Sequence, residues 1–313
     1  MSQVLALLRG HTIVALILLL AVFILGIEVA RPGTVTPLWI SNALLFAAPL
    51  AILGAGQTLV MLTGGIDLSV ASVATGAAYI LATNAASGDG VALALSLSLG
   101  IFVGIVNGLG VAVLRVQPLV MTLGTGLMVG GAMTVYSQYM LASQPHVPAI
   151  IQTLGAGKFL GLIPVDLFLW AVIAALMLFA LHRTGFGRLL YAVGDNRAAC
   201  HLAGIRVWRV LFIDYVLCAL LAAIAGLVLV GGTNAADLSL ADVYLLPSVA
   251  CVIIGGTSIF GGRGGYSGTI VGALILTVLT SILTLLDVAE PVKQILYGAI
   301  ILSLAAAYAR LTE

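Results

Sequence analysis

Residues 39–81, WISNALLFAAPLAILGAGQTLVMLTGGIDLSVASVATGAAYIL, form a nearly unbroken apolar stretch. At about 1.5 Å per helical residue it extends well beyond the ~30 Å hydrocarbon core of a bilayer. It must therefore be two helices. The strong helix-breaking and capping cluster inside it is Thr63-Gly64-Gly65-Ile66-Asp67. Lipid is also the solvent that suits the rest of the chain: 62% of its 313 residues are hydrophobic and 7% charged, with a mean hydropathy of +1.25. A soluble domain carries about a quarter charged residues, and too few polar side chains are present here to cover a water-facing surface. Only helices and closed barrels satisfy every backbone polar group in lipid. The apolar runs are long and lack the alternation of barrel strands. The expected class is all-α, a polytopic membrane protein of about ten transmembrane helices.

Apolar windows place those helices near 12–30, 39–62, 68–86, 91–114, 118–138, 164–181, 210–231, 245–260, 266–286 and 294–309. The run from Ile13 to Ile27 is longer than the apolar core of a signal peptide, and Glu28-Val29-Ala30 lacks small residues at both cleavage positions, so it is read as a retained helix. Cys200, Cys218 and Cys251 are scattered without metal-ligand spacing and read as small apolar filler. Lys and Arg in short loops set orientation. With the N-terminus inside, Arg9, Arg115, Arg183, Arg188, Arg197, Arg206, Arg209, Arg263 and Arg310 face the cytoplasm, against Arg31, Lys158 and Lys293 outside. Both termini are expected to be cytoplasmic. The net charge of +1 gives no reason to expect a nucleic-acid partner.

The loop 182–209 is the one extended polar stretch and holds five of the twelve basic residues. Gly194-Asp195-Asn196 reads as a turn with two possible N-caps, residues 197–203 are good helix formers, and Gly204 is a natural stop. A short helix lying on one face follows. It is either an ordinary basic loop or a surface for a partner. The loop divides a single transmembrane domain, 1–313, into two five-helix halves, expected to be inverted repeats.

Asp67, an ionisable residue near membrane depth, is functional by default. Preceded by Gly64-Gly65 and followed by Leu68-Ser69, it either caps the third helix or shapes a translocation path. The stretch 255–272 is glycine-rich, and breaks of this kind point to a transporter's pathway or hinge, with Gly64, Gly65, Asp67, Ser69, Gly255, Gly256, Gly261 and Gly262 as candidates. Close helix packing competes, since Gly100, Gly104 and Gly108 share small-xxx-small spacing with Gly268 and Gly272. Gly261-Gly262-Arg263-Gly264-Gly265 reads as a tight turn. Asp214 is expected to form a local ion pair with Arg206 or Arg209 at headgroup level, and Trp39, Trp170, Trp208 and Tyr244 an aromatic belt. Lys158 and Lys293, the two lysines, fit no phosphate-binding G-x-x-x-x-G-K-[ST] loop, and no Ser/His/Asp set, HExxH or zinc spacing appears. The chain is therefore expected to be neither an ATPase nor another enzyme, and any energy it used would have to come from a separate subunit or an ion gradient.

Three stretches carry a resemblance: Gly56-Gln57-Thr58-Leu59-Val60 with Gly64-Gly65-Ile66-Asp67-Leu68-Ser69-Val70; Tyr191-Ala192-Val193-Gly194-Asp195-Asn196-Arg197-Ala198-Ala199 with Leu202-Ala203-Gly204-Ile205; and Ile254-Gly255-Gly256-Thr257-Ser258 with Gly261-Gly262-Arg263-Gly264-Gly265. A weaker match covers Gln117-Pro118 and Thr122-Leu123-Gly124. In this order they resemble the permease subunits of bacterial ABC importers of the ribose and simple-sugar type, a family that includes branched-chain amino acid permeases. The chain departs at Asp195, where sugar permeases usually have Gly, and at Ala203, where Ser is common.

The resemblance implies an inner-membrane subunit that moves a monosaccharide or polyol by alternating access. It implies a second permease copy, a solute-binding protein on the outer face and a separate ABC ATPase that binds ATP and Mg, with no cofactor in this chain. Gly194, Asp195, Asn196, Arg197, Ala198, Ala199 and Gly204 would form the ATPase-coupling loop. The alternatives are a branched-chain amino acid or nucleoside permease, an ion-coupled secondary transporter using Asp67 or Asp214, and a channel.

Overall fold

The structure is a computed structural model that describes residues 12–140 and 146–312, with side chains within 13–306. Arg9 and the side chain of Arg310, both used above for orientation, lie outside the described residues. The helices are α1 (Thr12–Ala30), α2 (Pro37–Leu62), α3 (Val70–Asn84), α4 (Asp89–Ala112), α5 (Pro118–Tyr139), α6 (Ala149–Ala156), α7 (Asp166–Arg183), α8 (Gly185–Asp195), α9 (Arg197–Leu202), α10 (Val207–Thr233), α11 (Leu245–Ile254), α12 (Tyr266–Leu285) and α13 (Glu290–Thr312). Each of the ten expected helices has a counterpart. Among the described residues, α1, α2, α4, α5, α7, α10 and α12 are long and apolar enough to cross a membrane.

Two expected spans are shorter than predicted. α3 has 15 residues and α11 has 10, too few to cross a ~30 Å core at 1.5 Å per residue. α3 starts only at Val70 because residues 67–69 are held in a turn. α11 stops at Ile254 rather than reaching Phe260. Gly256 there adopts a φ of 87°, and the Thr257 N–H returns to the Val252 carbonyl at 3.1 Å. Three elements were not anticipated: α8, α6, and an antiparallel hairpin pairing β1 (Lys158–Phe159) with β2 (Ile163–Pro164).

α2 and α10 form the centre. Residues 47–62 of α2 are buried throughout, as is most of α10. α2 packs on α11 and α12 of the second half, while α10 packs on α3 and α4 of the first. Each half thus inserts its central helix into the other. The α4–α10 contact is close enough to need glycine: a Cβ on Gly104 would lie 2.6 Å from Val216 Cα, and one on Gly108 would lie 2.9 Å from the Phe212 carbonyl oxygen. Helix packing, rather than a gate, is the role of the 100–108 glycines.

A repeat missed in the sequence ties the halves together. Asp67-Leu68-Ser69 follows α2, and Asp237-Leu238-Ser239 follows α10. In each, one carboxylate oxygen accepts from the serine N–H, at 2.8 and 2.9 Å, and from its hydroxyl, at 2.6 and 2.9 Å. Each turn leads towards its half's short helix. The end of α2 and the start of α10 lie on the same face, beside residues 194–206. The two central helices therefore run in opposite directions, as an inverted repeat requires.

Candidate functional site

α8 and α9 follow from local signals. The Thr184 hydroxyl caps α8 by accepting the Gly187 N–H at 3.2 Å. Phe186, Leu189, Leu190 and Val193 recur at helical spacing and turn one face to the core, burying Leu190 and Val193. That periodicity was readable in the sequence. Asn196 ends α8 and caps α9, its side-chain oxygen accepting the Ala199 N–H at 2.9 Å. Gly204, at a φ of 78°, ends α9 as expected, and the Ile205 N–H bonds the Cys200 carbonyl at 3.0 Å.

Three distant stretches meet at the start of α9. The Leu62 carbonyl, at the end of α2, accepts the Gly262 N–H at 2.9 Å. Gly194 rests on that same carbonyl, where a Cβ would fall 1.9 Å from the Leu62 oxygen and 2.5 Å from the Gly262 nitrogen. Gly261, at a φ of 90°, faces the Gly194 carbonyl and the Gly64 nitrogen. The Arg197 guanidinium donates to the Thr63 carbonyl, and the Tyr191 hydroxyl to the Gly264 carbonyl at 2.9 Å. Burial raises the pKa of Tyr191, which keeps it a neutral donor. Gly64, Gly194, Gly261 and Gly262 are thus one junction, although 198 positions separate the first from the last.

From this junction α9 projects outward. Asp195, Asn196, Ala198, Ala199 and His201 are exposed, and Leu202 is 89% exposed. Beside it lies a cavity of about 780 Å³ whose lining includes Arg115, Arg197, His201, Arg206 and Trp208. This basic groove flanks a small, apolar helix face.

The remaining candidates form a buried network or pack helices. Gln57 Nε2 donates to the Asp67 carbonyl at 2.6 Å and Gln57 Oε1 accepts the Asp67 N–H at 3.2 Å. Asn107 Nδ2 donates to Ser69 Oγ at 2.9 Å, and Thr125 Oγ1 to Asn107 Oδ1 at 2.6 Å. Asp67 therefore closes the turn before α3 and joins four helices, with its second carboxylate oxygen unpartnered. Asn107 and Thr125 escaped the sequence reading, and Gln57 entered it only as part of a motif with no role, because uncharged polar residues inside apolar helices leave no periodic trace. Gly65 admits the Tyr215 hydroxyl, which lies 2.5 Å from where its Cβ would be. Gly255 instead packs against Gly268 and Thr269, and Gly256 turns the chain after α11.

Two expectations are corrected. Asp214 makes no ion pair at headgroup level: it is fully buried, and both carboxylate oxygens lack a hydrogen-bond partner. It faces the core, while Arg206 and Arg209 are exposed and Arg209 stacks on Trp208 at 5.3 Å. Trp170 is not in an interfacial belt. It is buried, and its indole N–H donates at 3.0 Å to the Tyr266 hydroxyl, which donates to the Ala51 carbonyl at 3.0 Å.

Comparison with known proteins agrees with this architecture. Residues 39–305 match the family described as the branched-chain amino acid transport system permease component. The chain is similar to the ribose import permease protein RbsC of Escherichia coli K12, 35% identical over 300 residues covering 95% of this chain and 92% of that one. It is 34% identical to the ribose import permease protein RbsC of Bacillus subtilis, covering 90% and 88%. It is 32% identical to the fructose import permease protein FrcC of Rhizobium meliloti, covering 82% and 73%. No solved structure matches the chain at a significant level. A family match over most of the length, with relatives above 30% identity, places this all-helical membrane protein in the branched-chain amino acid transport system permease family.

Proposed function

We propose that this chain is the membrane-spanning subunit of an ATP-driven importer of a monosaccharide or related polyol, with α9 as its contact for a separate ATPase. The observation that carries this reading is the convergence of 62–65, 191–197 and 260–265 beneath an exposed two-turn helix. A surface helix rigidly joined to the ends of central elements transmits force, whereas a solvated basic loop does not. The exposed Ala198, Ala199 and Leu202 suit insertion into a cleft, and Arg115, Arg197 and Arg206 suit an acidic rim. The names of the ribose and fructose relatives support a sugar as cargo.

In this mechanism ATP and Mg are held by the partner. Closure of the ATPase pair displaces α9. Gly194 and Gly262 pass the displacement to the end of α2 through the Leu62 carbonyl, and Arg197 passes it to Thr63. Because α2 is seated in the second half and α10 in the first, the halves move as interlocked bodies and the pathway alternates between two openings. The permease would sit in the bacterial inner membrane as a pair, both termini and α9 cytoplasmic, with a solute-binding protein on the far face supplying most of the specificity.

Reconstitution with the cognate ATPase and binding protein tests the reading. Ribose or fructose should stimulate ATP hydrolysis and enter the vesicle, with leucine inactive. Stimulation by leucine alone would instead favour the amino acid branch, consistent with Asp195 in the turn. Uptake without the ATPase that collapses with an imposed ion gradient would refute the proposal.

A further inference from the structure

A groove of about 360 Å³ lies between α3, the middle of α5 and the start of α11. Both Asp-Leu-Ser turns open onto it, since Leu68 from one half and Leu238 from the other stand in its wall. The two helices too short to span are therefore the ones that meet here. α3 contributes Ser72 and Thr75, and α11 contributes Leu245 together with the 3₁₀ turn Asp242–Tyr244 that leads into it. The Thr75 hydroxyl accepts the Ala241 N–H at 3.1 Å and fixes that turn against α3. Discontinuous helices meeting where inverted repeats adjoin are the usual place for a transporter to hold its solute, and the volume suits a small one.

The polar groups of this wall are uncommitted. Among the described residues the Ser72 hydroxyl and the Asp242 carboxyl make no hydrogen bond, and Thr75, 3% exposed, keeps its hydroxyl proton after accepting from Ala241. On α5 a Cβ at Gly126 would lie 3.4 Å from the Leu68 carbonyl oxygen, so that glycine lets the helix close on the turn. A Cβ at Gly130 or Gly131 would meet nothing within 4 Å, so those two keep the groove open. No Lys, Arg or His lines it, and the N-terminal end of α3 is already met by the Asp67 carboxyl, which accepts the Ser69 N–H at 2.8 Å. A solute carboxylate finds no counter-charge here, whereas hydroxyls find both acceptors and donors. We propose that this groove holds the solute at membrane depth, and that the solute is an uncharged ring of monosaccharide size. Asp242 accepts from adjacent hydroxyls at one end, Ser72 and Thr75 bond the ring along α3, and Gly130 and Gly131 leave a flat face for its C–H surface. So few bonds hold it weakly, which suits a protein that must let it go. The inference rests on the sugar-importer reading and names the place in this chain where the sugar sits.

The test uses proteoliposomes holding the permease with its ATPase and binding protein, and reads ATP-dependent ribose import per permease in the membrane. Gly130→Leu should lower it by roughly five- to a hundredfold, the range that overpacking gives. Ala132→Leu is the control: it stands on the opposite side of α5, is exposed and lies outside the groove. Ser72→Ala and Asp242→Asn should each lower import by roughly two- to tenfold, the worth of one hydrogen bond. Gly131→Cys probes the groove after assembly, so folding does not enter. Reaction with N-ethylmaleimide should lower its import by at least about fivefold, whereas the wild type, whose Cys200, Cys218 and Cys251 are buried, should be indifferent to the reagent. Ribose import by Gly130→Leu equal to that of Ala132→Leu, or by alkylated Gly131→Cys equal to that before reaction, overturns the groove and leaves the importer reading standing. Import of leucine in place of ribose by the wild type overturns the uncharged ring as its occupant. Uptake by the wild type without the ATPase, driven by an ion gradient, brings down the importer reading and this proposal with it.

Discussion

Gly194→Ala adds one methyl group at the most crowded glycine of the junction. Its Cβ would sit 1.9 Å from the Leu62 carbonyl oxygen and 2.5 Å from the Gly262 nitrogen. Both neighbours are backbone atoms, so no rotamer change relieves the clash. Either α8 lifts away or the 2.9 Å bond between Gly262 and Leu62 breaks. Overpacking costs about 1–3 kcal/mol, and a lost hydrogen bond about 0.5–1.5 kcal/mol. A penalty of about 2–4 kcal/mol raises the undocked population of α8 and α9 by roughly 30- to 1,000-fold, since about 1.4 kcal/mol is a factor of ten. Tryptic cleavage at Arg188 and Arg197 reads that population directly when opening is fast relative to cleavage. Gly124→Ala is the matched control, because a Cβ on Gly124 meets nothing within 4 Å. Cleavage of Gly194→Ala within about twofold of wild type, or equal acceleration in the control, would refute the rigid-junction argument.

Other consequences follow from single contacts. Gly104→Leu should abolish accumulation of folded protein in membranes, because its Cβ would lie 2.6 Å from Val216 Cα, whereas Gly130→Leu, with open space around it, should accumulate normally. Thr125→Val strands the buried Asn107 Oδ1 and should cost about 1–3 kcal/mol, seen as a lowered Tm without loss of helix content. The Ser239 N–H and hydroxyl hold the Asp237 carboxyl below its ordinary pKa. A depressed folded pKa contributes order that is present above the unfolded value near 4 and is lost as pH falls through the folded value. Hydrogen exchange of the Ser239 amide should accordingly lose protection in acid and be indifferent to pH between about 5 and 8, with Asp237→Ala unprotected throughout.

Much of this architecture is legible in the sequence alone. Spans of about 20 apolar residues announce themselves because lipid tolerates nothing else, and caps such as Asn196 and Gly204 act within a few residues of where they stand. The places where prediction slipped are those where a local pattern competes with a distant contact. α3 and α11 read as full spans because their flanks are apolar, yet an Asp-Leu-Ser turn and a left-handed Gly256 shorten them. α8 was hidden in a loop whose charges drew more notice than its apolar face. Asp214 looked like a headgroup residue because rise along the helix sets depth, but rotation about the helix axis sets its neighbours.

Composition, periodicity and charge in the loops were enough for the solvent, the helices and the expected inside of this protein, since each depends on residues adjacent in the chain. That Gly64, Gly194 and Gly261 share one junction, that Asp67 closes a turn within a buried network, and that Arg197 bonds the Thr63 carbonyl depend on how α2 and α10 exchange places between the halves. Those contacts join positions far apart in sequence, and only the packing of one half against the other brings them within hydrogen-bonding reach.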